Sequence, residues 1–297
     1  MSAPASAPGR KLILGEYDMS GNILVLGAGG NVGRPLVNAL LARGEAVIAA
    51  TRSGTPVVGA ESLRFDYANL ATYAAALDGV DRAYVMLPAG YVDSLSLLLP
   101  VIEALAARRV KVVFQSVLGV DADDSNPYRQ LELALERSGT RYVILRPNWF
   151  ADNFHTFWKT GIQHGVIALP AGDGQSSFID ARDIAASATA TLISDRFDGQ
   201  TFNLTGPEPL GYADVAAIIS GVIGKPVRYD AIDDDAFIDT LLRANIPNEY
   251  AVFLASIFYP VRQGWTALVT DCVARLTSAQ PRTLHTYAAD YAKLLSA

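Results

Sequence analysis

Cysteine is almost missing from this chain of 297 residues: Cys272 stands alone. That excludes an intrachain disulfide and any cluster of thiolate metal ligands. A single cysteine inside a helical pattern is expected to be a small core residue. Histidine is nearly as scarce, and His155 has no second histidine at ligand spacing, so no metal site is expected. Positive charge is outweighed, with 24 Lys and Arg against 30 Asp and Glu for a net charge of −6. No electrostatic footprint for nucleic acid follows from this balance, and no basic amphipathic helix offers itself to an anionic membrane. Long apolar runs are missing too: the stretch Ser94 to Ala107 is broken by Pro100 and Glu103 and is too short to span a bilayer. The chain opens without the apolar core of a secretory signal. Together these absences predict a soluble cytoplasmic protein acting on a small molecule.

What is present suits a sizeable core. Half the residues are hydrophobic and under a fifth are charged, enough for one large α/β domain or two closely joined ones. Residues 1–18 read as a separate N-terminal arm rich in Ser, Ala, Pro and Gly. Met19 follows, so either the start lies there or the arm is an extra segment. Within the arm, Lys11-Leu12-Ile13-Leu14 could dock on the domain or on a partner subunit.

From Asn22 onward, β-rich runs alternate with amphipathic stretches. Strands are predicted at Asn22 to Gly27, Ala46 to Thr51, Leu63 to Phe65, Ala83 to Leu87, Val110 to Ser116 and Arg141 to Leu145. Helices are predicted between them at Val32 to Ala42, Leu70 to Leu77, Ser94 to Arg108 and Tyr128 to Ser138. This alternation predicts an α/β fold: a doubly wound parallel sheet of Rossmann type that binds ligands at the strands' carboxyl ends. After residue 146 the alternation lapses. A helix at Glu208 to Gly224, a strand at Pro226 to Tyr229 and mostly helical residues at 233–295 remain. The expected division is a Rossmann core over 19–150, then an interwoven substrate-covering region and a small, mostly helical carboxyl-terminal subdomain over 151–297.

The first predicted strand runs into Gly27-Ala28-Gly29-Gly30-Asn31-Val32-Gly33, directly before a helix. In a dinucleotide site Gly27 allows the tight turn, Gly30 lets the backbone approach a pyrophosphate, and Gly33 lets helix and strand pack closely. The helix N-terminus offers free N–H groups and a positive dipole end. The second strand ends Ala50-Thr51-Arg52-Ser53, without the carboxylate that receives the ribose hydroxyls of NAD. Arg52 is suited to a 2′-phosphate and to stacking on adenine, which favours NADP(H); a merely solvated arginine would leave NAD(H) open. Asp66 stands where it could take the adenine amine or cap the helix near Leu70.

With these features in view, two further segments carry a resemblance. Leu145-Arg146-Pro147-Asn148-Trp149-Phe150-Ala151-Asp152-Asn153-Phe154 and Phe178-Ile179-Asp180-Ala181-Arg182-Asp183-Ile184-Ala185 resemble the NmrA-like branch of the atypical short-chain dehydrogenase/reductases. The first segment looks closest to its ergot-alkaloid reductase-like and quinone-reductase-like members. The resemblance spans about residues 20 to 225. It implies that Gly27, Gly30, Asn31, Val32 and Arg52 contact the cofactor, and that Leu87 and Pro88 lie along the adenosine and ribose. It puts Ser116 near the nicotinamide ribose and Pro147, Asn148, Trp149 and Phe150 beside the nicotinamide. Asp180 and Asp183 are expected to be structural, capping a helix from Ile184.

Ordinary short-chain dehydrogenases use Tyr-x-x-x-Lys, whose lysine lowers the tyrosine pKa. Here the spacing reads Tyr128-Arg129-Gln130-Leu131-Glu132. A carboxylate beside the phenol would raise its pKa instead. Tyr128 is then either a variant of the family's acid position or an exposed first-turn tyrosine. Without a lysine partner, the site suits acceptors that are already activated. A quinone yields a phenolate, of pKa about 10, which needs only a hydrogen bond, and an iminium needs no proton at the carbon that takes hydride. Catalysis would rest on orientation in a dry pocket. Tyr91, Trp149, Phe154 and Phe178 are candidate aromatic walls for a planar substrate, with Asn153 and His155 as polar neighbours. Phe150, Phe157, Trp158, Tyr250, Phe253, Phe258 and Tyr259 are further aromatic candidates.

The expectation is an NAD(P)H-dependent reductase of quinones or ketones of a polycyclic aromatic, polyketide-type compound in secondary metabolism. Its expected partner is a small aromatic molecule, with a homodimer left open. The alternative is a redox-sensing regulator that binds NAD(P) without turnover.

Overall fold

The structure is a computed structural model that describes residues 21–296. The expected arm over 1–18, its Lys11–Leu14 patch and Met19 lie outside the described residues.

In chain order the strands begin with β1 (Asn22–Leu26), β2 (Val47–Thr51), β3 (Glu61–Arg64), β4 (Val80–Val85), β5 (Lys111–Gln115) and β6 (Tyr142–Pro147). Short strands β7 (Val166–Leu169) and β8 (Gln175–Ser176) precede β9 (Gln200–Leu204), and β10 (Leu210–Gly211) and β11 (Arg228–Ala231) follow. The main sheet has seven parallel strands in the order β3-β2-β1-β4-β5-β6-β9. The order reverses between β1 and β4, which opens a crevice at the strands' carboxyl ends. Two-stranded sheets, β10-β8 and β11-β7, belong to the outer lobe.

The helices are α1 (Gly33–Leu41), α2 (Tyr73–Ala76), α3 (Ser94–Ala107), α4 (Pro127–Arg137), α5 (Lys159–Gln163), α6 (Ala181–Leu192) and α7 (Tyr212–Ile223). After them come α8 (Asp234–Arg243), α9 (Asn248–Ser256), α10 (Tyr259–Arg262), α11 (Cys272–Thr277), α12 (Leu284–Asp290) and α13 (Ala292–Ser296). Strand alternation sends side chains to both faces of the sheet. Ile23 and Val25 of β1 pack under α1, α6 and α11, whereas Leu24 and Leu26 pack under α2, α3 and α4. Cys272 is buried in the first of these clusters. A third cluster, centred on Phe154, Phe178, Tyr212 and Phe258, is the core of the outer lobe. Among the described residues no helix is long and apolar enough to cross a membrane.

The structure departs from the sequence reading after residue 146. The alternation continues there: α6 packs on α1, and β9 pairs with β6. Strand β9 was overlooked because it lies at the sheet's edge, where Gln200 and Thr201 are exposed and the apolar run is broken. In α6 the buried face includes Ser187, Thr189 and Thr191, whose hydroxyls bond back to carbonyls of their own helix and so need no water. The helix also begins at Ala181, three residues before the expected Ile184. Asp180 caps it by accepting from Arg182 N–H at 2.8 Å, while Asp183 instead accepts from the backbone N–H and the guanidinium of Arg282. Strand β4 ends at Val85, which leaves Leu87 and Pro88 in the following loop.

Helix α4 is fastened to the sheet by charge. Asn126 caps it through Tyr128 N–H, and Pro127 sits at its first position. One turn on, Glu132 is fully buried and accepts from Arg146 of β6 in a bidentate pair, Nε–Oε1 2.8 Å and Nη2–Oε2 2.6 Å. Arg129 also donates to Glu132, at 3.0 Å. Removing one member of a buried pair leaves the other uncompensated. Glu132→Ala is expected to cost about 3–5 kcal/mol of stability, read as a lowered urea midpoint with an unchanged slope.

Candidate cofactor and substrate site

The loop after β1 has no room for side chains at two of its glycines. Gly27 has φ +73°, and a Cβ there would meet Met86 Sδ at 2.8 Å. A Cβ on Gly33 would lie 2.1 Å from the Gly27 carbonyl oxygen and 2.8 Å from Ala28 Cα. Gly30 N–H closes the turn onto Gly27 O at 2.9 Å. Gly29, Gly30 and Asn31 are exposed, and no side chain caps α1 and no acid occupies its first turn. Val32 is in the core, so only its backbone can face a ligand. An uncapped, acid-free helix start behind an exposed glycine turn fits a pyrophosphate.

Arg52 follows β2, is exposed, and has no carboxylate partner among the described residues. Its guanidinium carbon stands 5.9 Å from the centre of the Tyr91 ring. The loop after β4 thus carries Tyr91, expected as an aromatic substrate wall, beside Arg52. Arg64, in register with Thr51, adds a second exposed cation that the sequence reading had not singled out. Asp66 is half-buried and accepts from Ala68 N–H at 3.1 Å. Capping near Leu70 belongs to Asn69, which accepts from Ala71 N–H at 3.1 Å, so that alternative for Asp66 fails. Leu87 and Pro88 are half-buried beside Met86, whose carbonyl receives the Tyr67 phenol at 2.5 Å. Met86 and Tyr67 were also missed, since nothing in their spacing marks them.

Toward the other end of the crevice, Ser116 follows β5. Its N–H donates to Leu145 O at 2.8 Å, but its buried hydroxyl has no partner. A buried orphan hydroxyl at the carboxyl edge is the expected form of a group awaiting a ligand. Tyr128 is half-buried with its ring stacked on Phe114, centroids 6.3 Å apart, so it is not the exposed tyrosine of one reading. Its pKa is pushed up to about 12, mainly by burial and then by the neighbouring Tyr250. Glu132 is not the cause, because Arg146 holds that carboxylate. Tyr250, on α9, accepts from Gly90 N–H at 3.0 Å and stacks on Phe253. It thereby brings the outer lobe to the loop after β4.

Pro147 ends β6, and its carbonyl accepts from Leu118 N–H at 3.2 Å. Trp149 and Phe150 remain half-buried, with Trp149 packed on Phe258 and Trp158. Asn148 is a correction. Its amide donates to Ser177 Oγ and to Thr266 O, each at 2.7 Å, and its Oδ1 accepts from Trp149 N–H. These bonds lock the loop and leave its amide no donor for a nicotinamide.

The expected polar and aromatic substrate contacts are mostly structural. Phe154 and Phe178 are buried and packed edge-to-face on each other and on Tyr212, in the lobe's core. His155 meets the Tyr287 hydroxyl at 2.5 Å through Nδ1 and stacks on Tyr291, so it faces α12 and α13. Burial lowers its pKa. Asn153 is half-buried in the same turn, where its carbonyl accepts from Trp158 N–H. Helical spacing could not separate these from a cleft wall, because the turn over Ala151–His155 is a 3-10 segment that turns them into the lobe. Among the described residues no group of three or more His, Cys, Asp or Glu side chains could hold a metal ion.

The sheet order and the glycine cradle define a doubly wound α/β protein of Rossmann type. The NmrA-like family model matches residues 19–264, and the chain belongs to the NmrA-like family. It is 32% identical to the uncharacterized oxidoreductase YesF of Bacillus subtilis, over 91% of this chain and 95% of that protein. It is 28% identical to the NAD(P)H azoreductase of Xenophilus azovorans, over 93% of this chain and 99% of that protein. The fold is that of an Escherichia coli NADPH-dependent quinone oxidoreductase solved with NADPH, at TM-score 0.78 and 23% identity, covering 90% of this chain and 99% of that one.

One residue of the 151–155 turn carries a pH signature. Asp152 is buried and accepts from Ala181 N–H at 2.9 Å, yet burial raises its pKa to about 6. The folded protein therefore holds a proton that the unfolded chain releases between about pH 4 and 6. This contribution is fully present below that window and is lost as the pH rises through it, on the order of 3 kcal/mol. In Asp152→Asn the loss is expected to vanish, seen by comparing urea midpoints of the two proteins at pH 4.5 and 7.

Proposed function

We propose that the protein is an NAD(P)H-dependent oxidoreductase, favouring NADPH, that reduces a flat, already activated acceptor such as a quinone or activated ketone. The observation that carries this reading is the carboxyl edge of the sheet. There the acid-free glycine cradle after β1, Arg52 after β2, with no carboxylate partner among the described residues, and the orphan hydroxyl of Ser116 after β5 share the carboxyl edge of one sheet. The bound dinucleotide supplies the hydride. The protein's own contribution is to bind and to orient. The start of α1 and the loop Gly27–Gly33 hold the pyrophosphate, Arg52 takes the 2′-phosphate, and Ser116 hydrogen-bonds the ribose near the reacting ring. Trp149 and Phe150 restrict the space at the end of β6, and Tyr250 closes the loop opposite.

The proton requirement favours the activated acceptor. Glu132 is engaged by Arg146, so no cation lowers the Tyr128 pKa in the manner of the Tyr-Lys pair. A phenol at about 12 is a poor acid toward a site that needs full proton transfer, but it donates a hydrogen bond well. The oxygen of a reduced quinone requires no more than that, since a phenol pKa is about 10. The names of relatives, among them an azoreductase and quinone oxidoreductases, support acceptors of this kind. Polycyclic quinones and ketones of the polyketide type are the proposed substrate class, in keeping with secondary metabolism.

The test follows the reduced-nicotinamide absorbance of NADPH with the full chain and a panel of quinones, azo compounds, iminium ions and ketones. Quinones are expected to accelerate oxidation most and simple ketones not at all. Cofactor binding without turnover on any member would assign the protein to the dinucleotide-sensing class instead. Tyr128→Phe is expected to lower kcat about tenfold through one lost hydrogen bond. The wild-type rate should show no limb from this tyrosine between pH 6 and 9, because its phenol stays protonated there.

A further inference from the structure

Arg52 is poised in an unusual way. It is exposed at the carboxyl end of β2 and pairs with no carboxylate among the described residues, yet it is not loose, because it stands over Tyr91. Tyr91 in turn sits in the loop between β4 and α3, next to Gly90, whose N–H is held by the Tyr250 hydroxyl of α9 at 3.0 Å. Gly90 has φ +100°, and no described atom lies within 4 Å of where its Cβ would stand. At the loop's far end, Asp93 caps α3 through Ser96 N–H at 3.0 Å. The loop is thus fastened on both sides of Tyr91, at Gly90 and at Asp93.

We propose that Tyr91 is a cofactor-selectivity residue: its ring holds the Arg52 guanidinium in place for the 2′-phosphate, and Tyr250 sets the position of that ring. The proposal rests on the NADPH reading above and adds a second residue to it. A free arginine side chain loses rotamer entropy when it is ordered. Stacking on an aromatic face removes part of that loss before the ligand arrives. A guanidinium stacked through its face keeps its five N–H donors in its own plane, where they can meet a phosphate in bidentate fashion. The 2′-phosphate distinguishes NADPH from NADH, so a residue acting through Arg52 changes the ratio of the two affinities. A residue that merely shapes the loop, or stacks on adenine, changes both affinities together.

The experiment is equilibrium binding of NADPH and of NADH to the full chain, without acceptor. Wild type is expected to bind NADPH at least about tenfold tighter. Tyr91→Ala is expected to weaken NADPH about two- to fivefold, the size of an exposed cation–π contact, and to leave NADH unchanged. Tyr91→Phe keeps the wild-type ratio, and Tyr250→Phe lowers it by releasing Gly90. In an Arg52→Ala background, Tyr91→Ala has no further effect on either cofactor. Equal weakening of both cofactors by Tyr91→Ala, no weakening at all, or an undiminished effect without Arg52 would each overturn the proposal. A wild type that binds both cofactors alike would overturn the NADPH reading as well, and that arm separates the two failures.

Discussion

No methyl group fits between α1 and β1. The Gly33 backbone lies so close to the Gly27 carbonyl that a Cβ would come within 2.1 Å of it. This approach aims the start of α1 along the carboxyl edge of the central strand, at the place where the strand order reverses. Everything at the crevice is referred to that point. Met86 closes under Gly27, and Met86's carbonyl fixes Tyr67. The loop that continues from Met86 then carries Tyr91 across to Arg52. A wider helix–strand spacing would move the helix dipole away from the crevice and loosen each of these contacts.

The two edges of the sheet differ in how their cations are paired. At the amino edge, Arg82 and Lys111 are fully buried and ion-paired. Arg82 meets Glu45 at 3.0 Å and Asp81 at 3.1 Å, while Lys111 meets Asp198 at 2.5 Å and the Ser194 carbonyl at 2.7 Å. Buried cations need such partners if the fold is to stand. At the carboxyl edge, by contrast, Arg52 has no anion among the described residues, and the buried Ser116 hydroxyl has no partner among them. Arg146 lies near this edge but behaves like the amino-edge cations, because Glu132 and Asp121 satisfy it.

The division also explains what could be read from the residues alone. Local rules governed the first six strands, the glycine turn and the helix caps, and these depend on neighbours a few positions away. The α/β order and the cradle were therefore legible, as was the membership of the chain in its family. Side-chain destinations were harder. Asn148, Phe154, His155 and Phe178 lie in motifs next to the crevice, but their partners are Thr266, Tyr212 and Tyr287, far along the chain. No spacing rule connects such residues. The neighbour of Tyr91, Arg52, was likewise not legible, since the direction of a loop is set by what it packs on. Glu132 was noticed for its position opposite a missing lysine, yet its real partner, Arg146, is on another strand.

Strand β9 bears on how such a protein can be recombined. The chain leaves the sheet after β6, builds part of the outer lobe, and returns to add its seventh strand beside β6 before leaving again. A cut after residue 150 would separate β6 from its neighbour and expose the row of N–H and C=O groups that β9 now covers, an invitation to edge-to-edge association. The lobe is therefore threaded through the sheet. An exchange of substrate specificity between relatives would have to transplant loops at several separate junctions and leave α6 and β9 with the recipient sheet.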